Sequence, residues 1–437
     1  MKKLGGALTV AVMAASAFAD VFCAGFARTD LEPQMGLSLS GYFELRPCTG
    51  VKDPVEANCV AMSAGGKTAL LYSLDLVELK GVSTAWRRKI AEACGTDPAA
   101  VYLACTHTHT APSIGPAADS YEISFDGTHA YDAIVLGKLI AAGQAAIADL
   151  SAAEMRVGRT GAKGLSFIRR YRMRDGKVRT NPGRGRIDQV IGPAGEPDDD
   201  VRIVRLERGG KPSIALVNFQ CHPDMIGGSE ASADWPGFMR RAVERDLGVK
   251  AILFNGAQGD TNHLNLHDWH NGYDASRVFG EKLAAAVCSA WNGCEKAAPG
   301  GLHAAVREVE VKIRKPAAAE LASTNLTKVA ANRIAKLKDH PETVRVPVTV
   351  LKFGDTLAFA GLPLEPFTAI GREVKVKSKA KMTFFTCLTN GSFGYLPTAD
   401  AYDEGAYETD SSIFAPGVSD ALTAVAVEEL NTGQKDK

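Results

Sequence analysis

Two histidines one residue apart are the first side chains that could do chemistry. In Cys105-Thr-His-Thr-His-Thr-Ala-Pro112 they leave an apolar run, Val101 to Thr106, that reads as a strand. Side chains at i and i+2 of a strand share a face, so His107 and His109 emerge side by side. That suits one imidazole as a metal ligand and the other as a proton carrier or second ligand. Three more segments place polar residues at the exit of an apolar strand. Gln220-Cys-His-Pro-Asp224 supplies His222 after the run Ser213 to Phe219. Phe254-Asn-Gly-Ala-Gln-Gly-Asp-Thr-Asn262 contains Gly256 and Gly259, which permit a tight turn whose N–H groups could meet a developing oxyanion. Gly361-Leu-Pro-Leu-Glu-Pro366 sets Glu365 near a helix start, because Pro366 fits a first helical position. Two histidines and a glutamate are a common zinc set, and hydrolysis by metal-activated water is its usual chemistry.

His263, His267 and His270 in NHLNLHDWH form a rival group. His263 and His267 have the i, i+4 spacing of a zincin helix, but Leu264 stands where that motif needs its glutamate. Gly-x-Ser-x-Gly, G-x-G-x-x-G and Walker sequences are absent, so neither a serine nucleophile elbow nor nucleotide binding has support.

The elements that must position these residues alternate. Strands are expected at Ala69–Leu79, Val101–Thr106, Arg202–Leu206, Ser213–Phe219, Ala251–Phe254, Leu302–Ile313, Val346–Phe353 and Thr356–Ala360. Helices are expected at Ser83–Cys94, Tyr131–Leu150, Trp235–Leu247, Tyr273–Trp291 and Ala317–Asp339. This order predicts an α/β fold, a mixed central sheet with flanking helices in one elaborated domain. Stretches near 181–197 and 391–417 read as long loops, and no internal repeat is visible.

Composition narrows the function. The chain has 437 residues, 50 Lys+Arg against 50 Asp+Glu, and 46% hydrophobic residues. A neutral balance gives no support for a nucleic-acid binder, which needs a strongly basic face, and so much apolar residue with no net charge argues against disorder. Lys2-Lys3, the apolar run Leu4 to Ala19 and the closing Ala17-Phe18-Ala19 make residues 1–19 a secretory signal, so a secreted or periplasmic protein is expected. No later segment is long and apolar enough, free of charges and turn residues, to add a transmembrane span to the mature chain. Nine cysteines are too sparse for a disulfide framework, although Cys48–Cys59 and Cys288–Cys294 are close enough to pair. Oligomeric state is not legible.

At this point the chain resembles the catalytic domain of the neutral/alkaline (non-lysosomal) ceramidases. Five pieces carry the likeness, in family order, across roughly residues 24 to 417. They are Ala24-Gly-Phe-Ala-Arg-Thr-Asp-Leu-Glu-Pro33, Thr106-His-Thr-His109, Cys221-His-Pro223, the Asn255–Asp260 turn and Leu364-Glu-Pro366. The resemblance implies one Zn²⁺ per chain, held by His107, His222, Glu365 and a tyrosine. Tyr402 of Asp400-Ala-Tyr-Asp-Glu-Gly-Ala-Tyr-Glu408 matches that tyrosine, with Tyr407 the alternative. It further implies His109 as the proton-transfer residue and Arg169 or Arg170 as an active-site arginine. Asn255, Asp260 and Tyr407 are then candidates to contact substrate.

Three departures are visible. Gln258 replaces the family's serine, which excludes a hydroxyl nucleophile there, although its amide could hydrogen-bond in catalysis. Phe414 replaces a further tyrosine twelve residues after the ligand. The chain also ends without room for the family's C-terminal immunoglobulin-like domain, so residues 20–437 are expected to be the zinc hydrolase domain. The implied function is hydrolysis of an amide or ester in a small or lipid-like substrate, an N-acyl lipid among them. A non-catalytic binding protein on the same fold and a metallophosphoesterase are the alternatives. The latter lacks its early D-x-H and G-N-H-[DE] signatures.

Overall fold

The computed structural model describes residues 21–115, 128–322, 331, 334–335 and 337–433. Residues 1–19, expected as a signal, and residues 323–330, 332–333 and 336 of the helix expected over 317–339 lie outside them. Only Ala318–Leu321 of that helix is seen as a complete segment.

Nine strands form one mixed sheet made of two like halves. In the first, β1 (Cys23–Asp30), β2 (Glu56–Ala64) and β3 (Lys67–Leu74) run antiparallel. Helix α1 (Ser83–Cys94) then carries the chain to β4 (Val101–Cys105), parallel to β3. Helix α2 (Thr128–Ala148) leads to the second half. There β5 (Ser151–Gly161), β6 (Asp200–Arg208) and β7 (Ile214–Phe219) run antiparallel. Helix α3 (Asp234–Leu247) leads to β8 (Lys250–Asn255), parallel to β7. The halves join through only two residue pairs, Cys23 with Ala152 and Ala24 with Ser151. After α4 (Tyr273–Trp291), β9 (Glu295–Ala297) adds to β5.

A second sheet follows from β10 (Leu302–Lys312), β11 (Thr343–Phe353) and β12 (Leu357–Gly361). Helix α5 (Thr368–Lys377) then connects β12 to β13 (Met382–Thr386), which runs parallel to it, and α6 (Val418–Asn431) ends the fold.

Side chains alternate across each strand, and here both faces are covered. Val60, Met62, Leu71, Leu216 and Phe254 share an inner core with Phe359 and Phe384 of the second sheet. The opposite parity, Cys59, Ala61, Leu70 and Tyr72, packs with Ile90 of α1 and Leu139 of α2. Ala215, Val217 and Phe219 likewise meet α3 and α4, and Val348, Val350 and Ala360 meet α5 and α6. Helix layers therefore enclose two facing sheets, the α/β architecture expected. Double coverage also explains why these strands read as unbroken apolar runs. Among the described residues, Ala130–Ala148 alone is long and apolar enough to cross a membrane. Its Val135, Leu139, Ala142 and Ala146 face is packed into the core.

Most expected elements form within two or three residues of their expected bounds. The strand expected to reach Leu79 ends at Leu74, because Asp75 leaves the ladder to meet Arg240 and the Thr106 hydroxyl. All nine cysteines are free thiols.

The three parallel pairs, β3/β4, β7/β8 and β12/β13, matter most for the site. Loops beyond the carboxyl ends of such strands are where open α/β sheets gather ligands. These loops carry His107, His222, Gln258 and Glu365.

Candidate metal centre

The strand ends are tied together before any functional group is placed. Asn255, at the end of β8, donates through Nδ2 to the carbonyls of Thr106 (3.0 Å) and Cys221 (3.1 Å) and accepts from the Cys221 N–H. Asp260 accepts from the N–H and hydroxyl of Thr368 at the start of α5, both at 2.7 Å. Both residues, expected at the substrate, are instead occupied in fixing strand ends and a helix start. Gly259 permits this closeness, since a Cβ there would sit 2.3 Å from the Glu365 carbonyl oxygen.

On that frame two imidazoles meet one carboxylate. His107 has φ +72°, an unusual backbone for a residue with a side chain, and its Nδ1 lies 2.9 Å from the Val77 carbonyl. His222 turns Nδ1 to the carbonyls of Gln258 (2.8 Å) and Thr261 (3.1 Å). A carbonyl only accepts, so each Nδ1 carries a proton, and in its neutral form each ring presents an Nε2 lone pair. Those nitrogens stand 3.3 Å and 3.2 Å from the same atom, Oε2 of Glu365. The Gln258 amide reaches that oxygen at 3.4 Å. His109 adds its Nε2 at 3.2 Å from His107 Nε2. The nitrogens of His107, His109 and His222 lie within 4.8 Å of one another and could hold a metal ion.

The electrostatics fit a cation. Burial opposes ionisation of Glu365, but the charges of His107 and His222 outweigh it and hold its carboxyl well below the usual carboxylate range. Burial and the Arg169 charge push His222 down, so it stays neutral. Burial and the His107 charge push His109 well down. The buried Nε2 of His222 has no hydrogen-bond partner. A neutral ring whose second nitrogen is anchored on backbone carbonyls, with its free lone pair aimed at a carboxylate, is the donor arrangement of a metal site.

Of the two candidate arginines, Arg169 faces this group. Its Nη2 donates to the Tyr395 hydroxyl at 3.0 Å and its Nε to Glu408 at 2.8 Å. Arg170 turns to Glu408, Glu404 and the Gly405 carbonyl, and packs over Phe367. Tyr402 is not brought to the histidines. Its hydroxyl meets Ser412 Oγ at 3.0 Å and feels the charge of Arg314, not of Glu365. Tyr395 holds that place. Its ring stacks on His222 at 6.4 Å, and burial and the Glu365 charge push its phenol well up. Tyr407 stands behind it, edge-on at 5.5 Å.

Sequence reasoning missed Tyr395, although a signal existed. The family spacing of twelve between two tyrosines is met by Tyr395 and Tyr407 as well as by positions 402 and 414. On the first register Phe414 is no departure. The rival cluster does not assemble: His263 pairs with half-buried Asp224 and with Asn271, while His267 and His270 are exposed.

Neither a protein-family model nor a curated protein sequence matches the chain. Two solved structures share its fold, the ceramidase fold expected from the five sequence pieces. In particular, neutral ceramidase from Pseudomonas aeruginosa superposes with a TM-score of 0.74 at 17% identity, over 94% of this chain and 74% of that one. A ceramidase complexed with C2 gives 0.72 at 17% identity, over 94% and 75%. At that identity the likeness is one of fold.

Proposed function

We propose that the protein is a zinc-dependent hydrolase of amide or ester bonds, acting on a lipid-like or other small N-acyl substrate and exported by way of residues 1–19. The observation that carries this is the pair of Nε2 lone pairs, from His107 and His222, on one Glu365 oxygen. Tyr395 completes the proposed ligand set, and the neighbours' name supplies the substrate class. Bound there, zinc supplies Lewis-acid polarisation of a carbonyl and a water acidified to near-neutral pKa.

The chain's own residues do the rest. His109, kept neutral by burial, is a base at neutral pH and passes the proton on to the leaving amine or alcohol. Its buried Nδ1 has no partner, which leaves that nitrogen for substrate or water. Arg169 fixes the Tyr395 phenol and places positive charge beside the site. Gln258 orients Glu365 through its amide and offers no nucleophile. A non-catalytic binding protein is the second reading, motivated by that glutamine.

Metal content of the purified protein and turnover of an N-acyl amide and ester panel test the proposal together. About one zinc per chain, lost in His107→Ala and His222→Ala, with turnover of some panel member, is expected. Full zinc occupancy in the double variant would sink the ligand assignment. A tightly held, unconverted ligand would favour the second reading.

A further inference from the structure

Six rings form a closed circuit at the histidine group. Tyr42 meets His109 edge-on with centroids 5.2 Å apart, and His109 stands 5.5 Å from His222. His222 stacks on Tyr395 at 6.4 Å, Tyr395 meets Tyr407 at 5.5 Å, and Tyr407 meets Phe43 at 6.2 Å. Tyr42 and Phe43 are consecutive in the chain, so a single peptide bond closes the circuit.

The segment that closes it is an arch over residues 40–45, with stems Ser38–Leu39 and Arg46–Pro47 paired antiparallel. Gly41 lets the arch press on the site. Its φ is +102°, and a Cβ there would stand 2.6 Å from a His109 ring carbon. Arg46 is buried and pins the arch. It donates to the carbonyls of Gly228 (2.8 Å), Ser40 (2.5 Å) and His109 (2.7 Å), and its guanidinium lies 4.3 Å over the Tyr42 ring. One cation thus ties the two ends of the arch, the aromatic and the backbone of His109.

Despite this anchoring, the arch leaves apolar surface in water. Phe43 is 49% exposed and Tyr42 and Leu45 are each 36% exposed. Apolar side chains held rigidly at the edge of a polar, buried centre are the wall of a ligand site.

We infer that the arch Ser40–Arg46 determines specificity, Tyr42 and Phe43 reading an apolar chain on the acyl side of the substrate and Arg46 acting as a positioning residue. This rests on the hydrolase reading for the identity of the reaction, but not for the binding. Packing of the chain against Phe43 and Tyr407 aligns the acyl carbon with His109, so longer chains bind tighter.

The test is calorimetric binding of acetate, hexanoate and decanoate to the full zinc-loaded chain, beside its Phe43→Ala, Arg46→Met and Arg46→Lys variants. Affinity is expected to rise with chain length in the natural sequence. Phe43→Ala should cut the decanoate-over-acetate ratio about tenfold, the scale on which an apolar wall discriminates. Arg46→Met should do the same, with partial recovery in Arg46→Lys. An unchanged ratio in Phe43→Ala overturns the inference, whatever becomes of Arg46→Met, whose folding thermal unfolding will report. The ratio of kcat/KM for decanoyl over acetyl amides should fall in parallel. Total absence of turnover would remove the proposed reaction, and the chain-length binding profile would still decide the role of the arch.

Discussion

Tyr395 lies parallel to His222, ring centroids 6.4 Å apart, with its hydroxyl receiving a hydrogen bond from Arg169 at 3.0 Å. A phenol is a poor metal ligand until something favours its ionised form; the Arg169 guanidinium acts in that direction, and a metal held by the histidines would add to it. Tyr402 feels the Arg314 guanidinium but is not brought to the histidine group. Tyr395→Phe should therefore weaken zinc retention against a chelator and lower turnover at least tenfold. Tyr402→Phe should leave both within a factor of about two and cost only its Ser412 hydrogen bond, about 0.5–1.5 kcal/mol of stability. Equal effects from the two would remove Tyr395 from the proposed ligand set.

His109 separates from its neighbours by role. It lies against His107, yet its Nε2 is not on the Glu365 oxygen that both other histidines share. His109→Gln should keep about one zinc per chain while lowering kcat by about 10²–10⁴, the range of a lost proton-transfer group. Loss of metal in that variant would make His109 a ligand instead.

How much of this was legible in the sequence follows from what each residue needed. His107, His222 and Glu365 were legible because each leaves an apolar strand, and strand exits converge in an α/β sheet. The repeated strand–helix–strand half was not, since the two halves carry different side chains and share only hydrogen-bonding order. Asn255 and Asp260 looked functional because polar residues in a glycine turn near a site usually read so. Only their partners, Thr106, Cys221 and Thr368, show them fastening the frame. Arg169 and Arg170 are adjacent in sequence and differ only in which way a strand points them.

The frame itself rests on a buried charge network. Arg240 of α3 donates to Asp75 past the end of β3, with Nη1 to Oδ1 at 2.9 Å, and contacts Glu56 at 3.3 Å. Arg240 and Asp75 are essentially inaccessible to water. The link joins a helix of the second half to a strand end of the first, where Asp75 also accepts from the Thr106 hydroxyl. Arg240→Met would leave Asp75 buried without its partner, and a loss of about 3–5 kcal/mol is expected in denaturant unfolding. A change below about 1 kcal/mol would mean that water or another cation replaces the arginine.

Acid should empty the centre. A metal competes with protons for His107, His222 and Glu365, all of which must be deprotonated to bind it. Burial pushes His107 down, but the Glu365 charge outweighs it, so the net shift is upward and His107 is the first ligand to take a proton as pH falls. Its second nitrogen is committed to the Val77 carbonyl, so protonation closes the Nε2 position. Zinc retained against a chelator, corrected for the chelator's own titration, should be complete near pH 8. Because the His107 shift is upward, retention should begin to fall already above about 6.5, the ordinary histidine value, and fall steeply below it. Because the metal stabilises only the folded chain, Tm in excess zinc should fall over the same window, while the metal-free protein shows no matching step. Retention that stays flat from pH 8 to pH 5 would mean that a histidine pair is not what holds the metal.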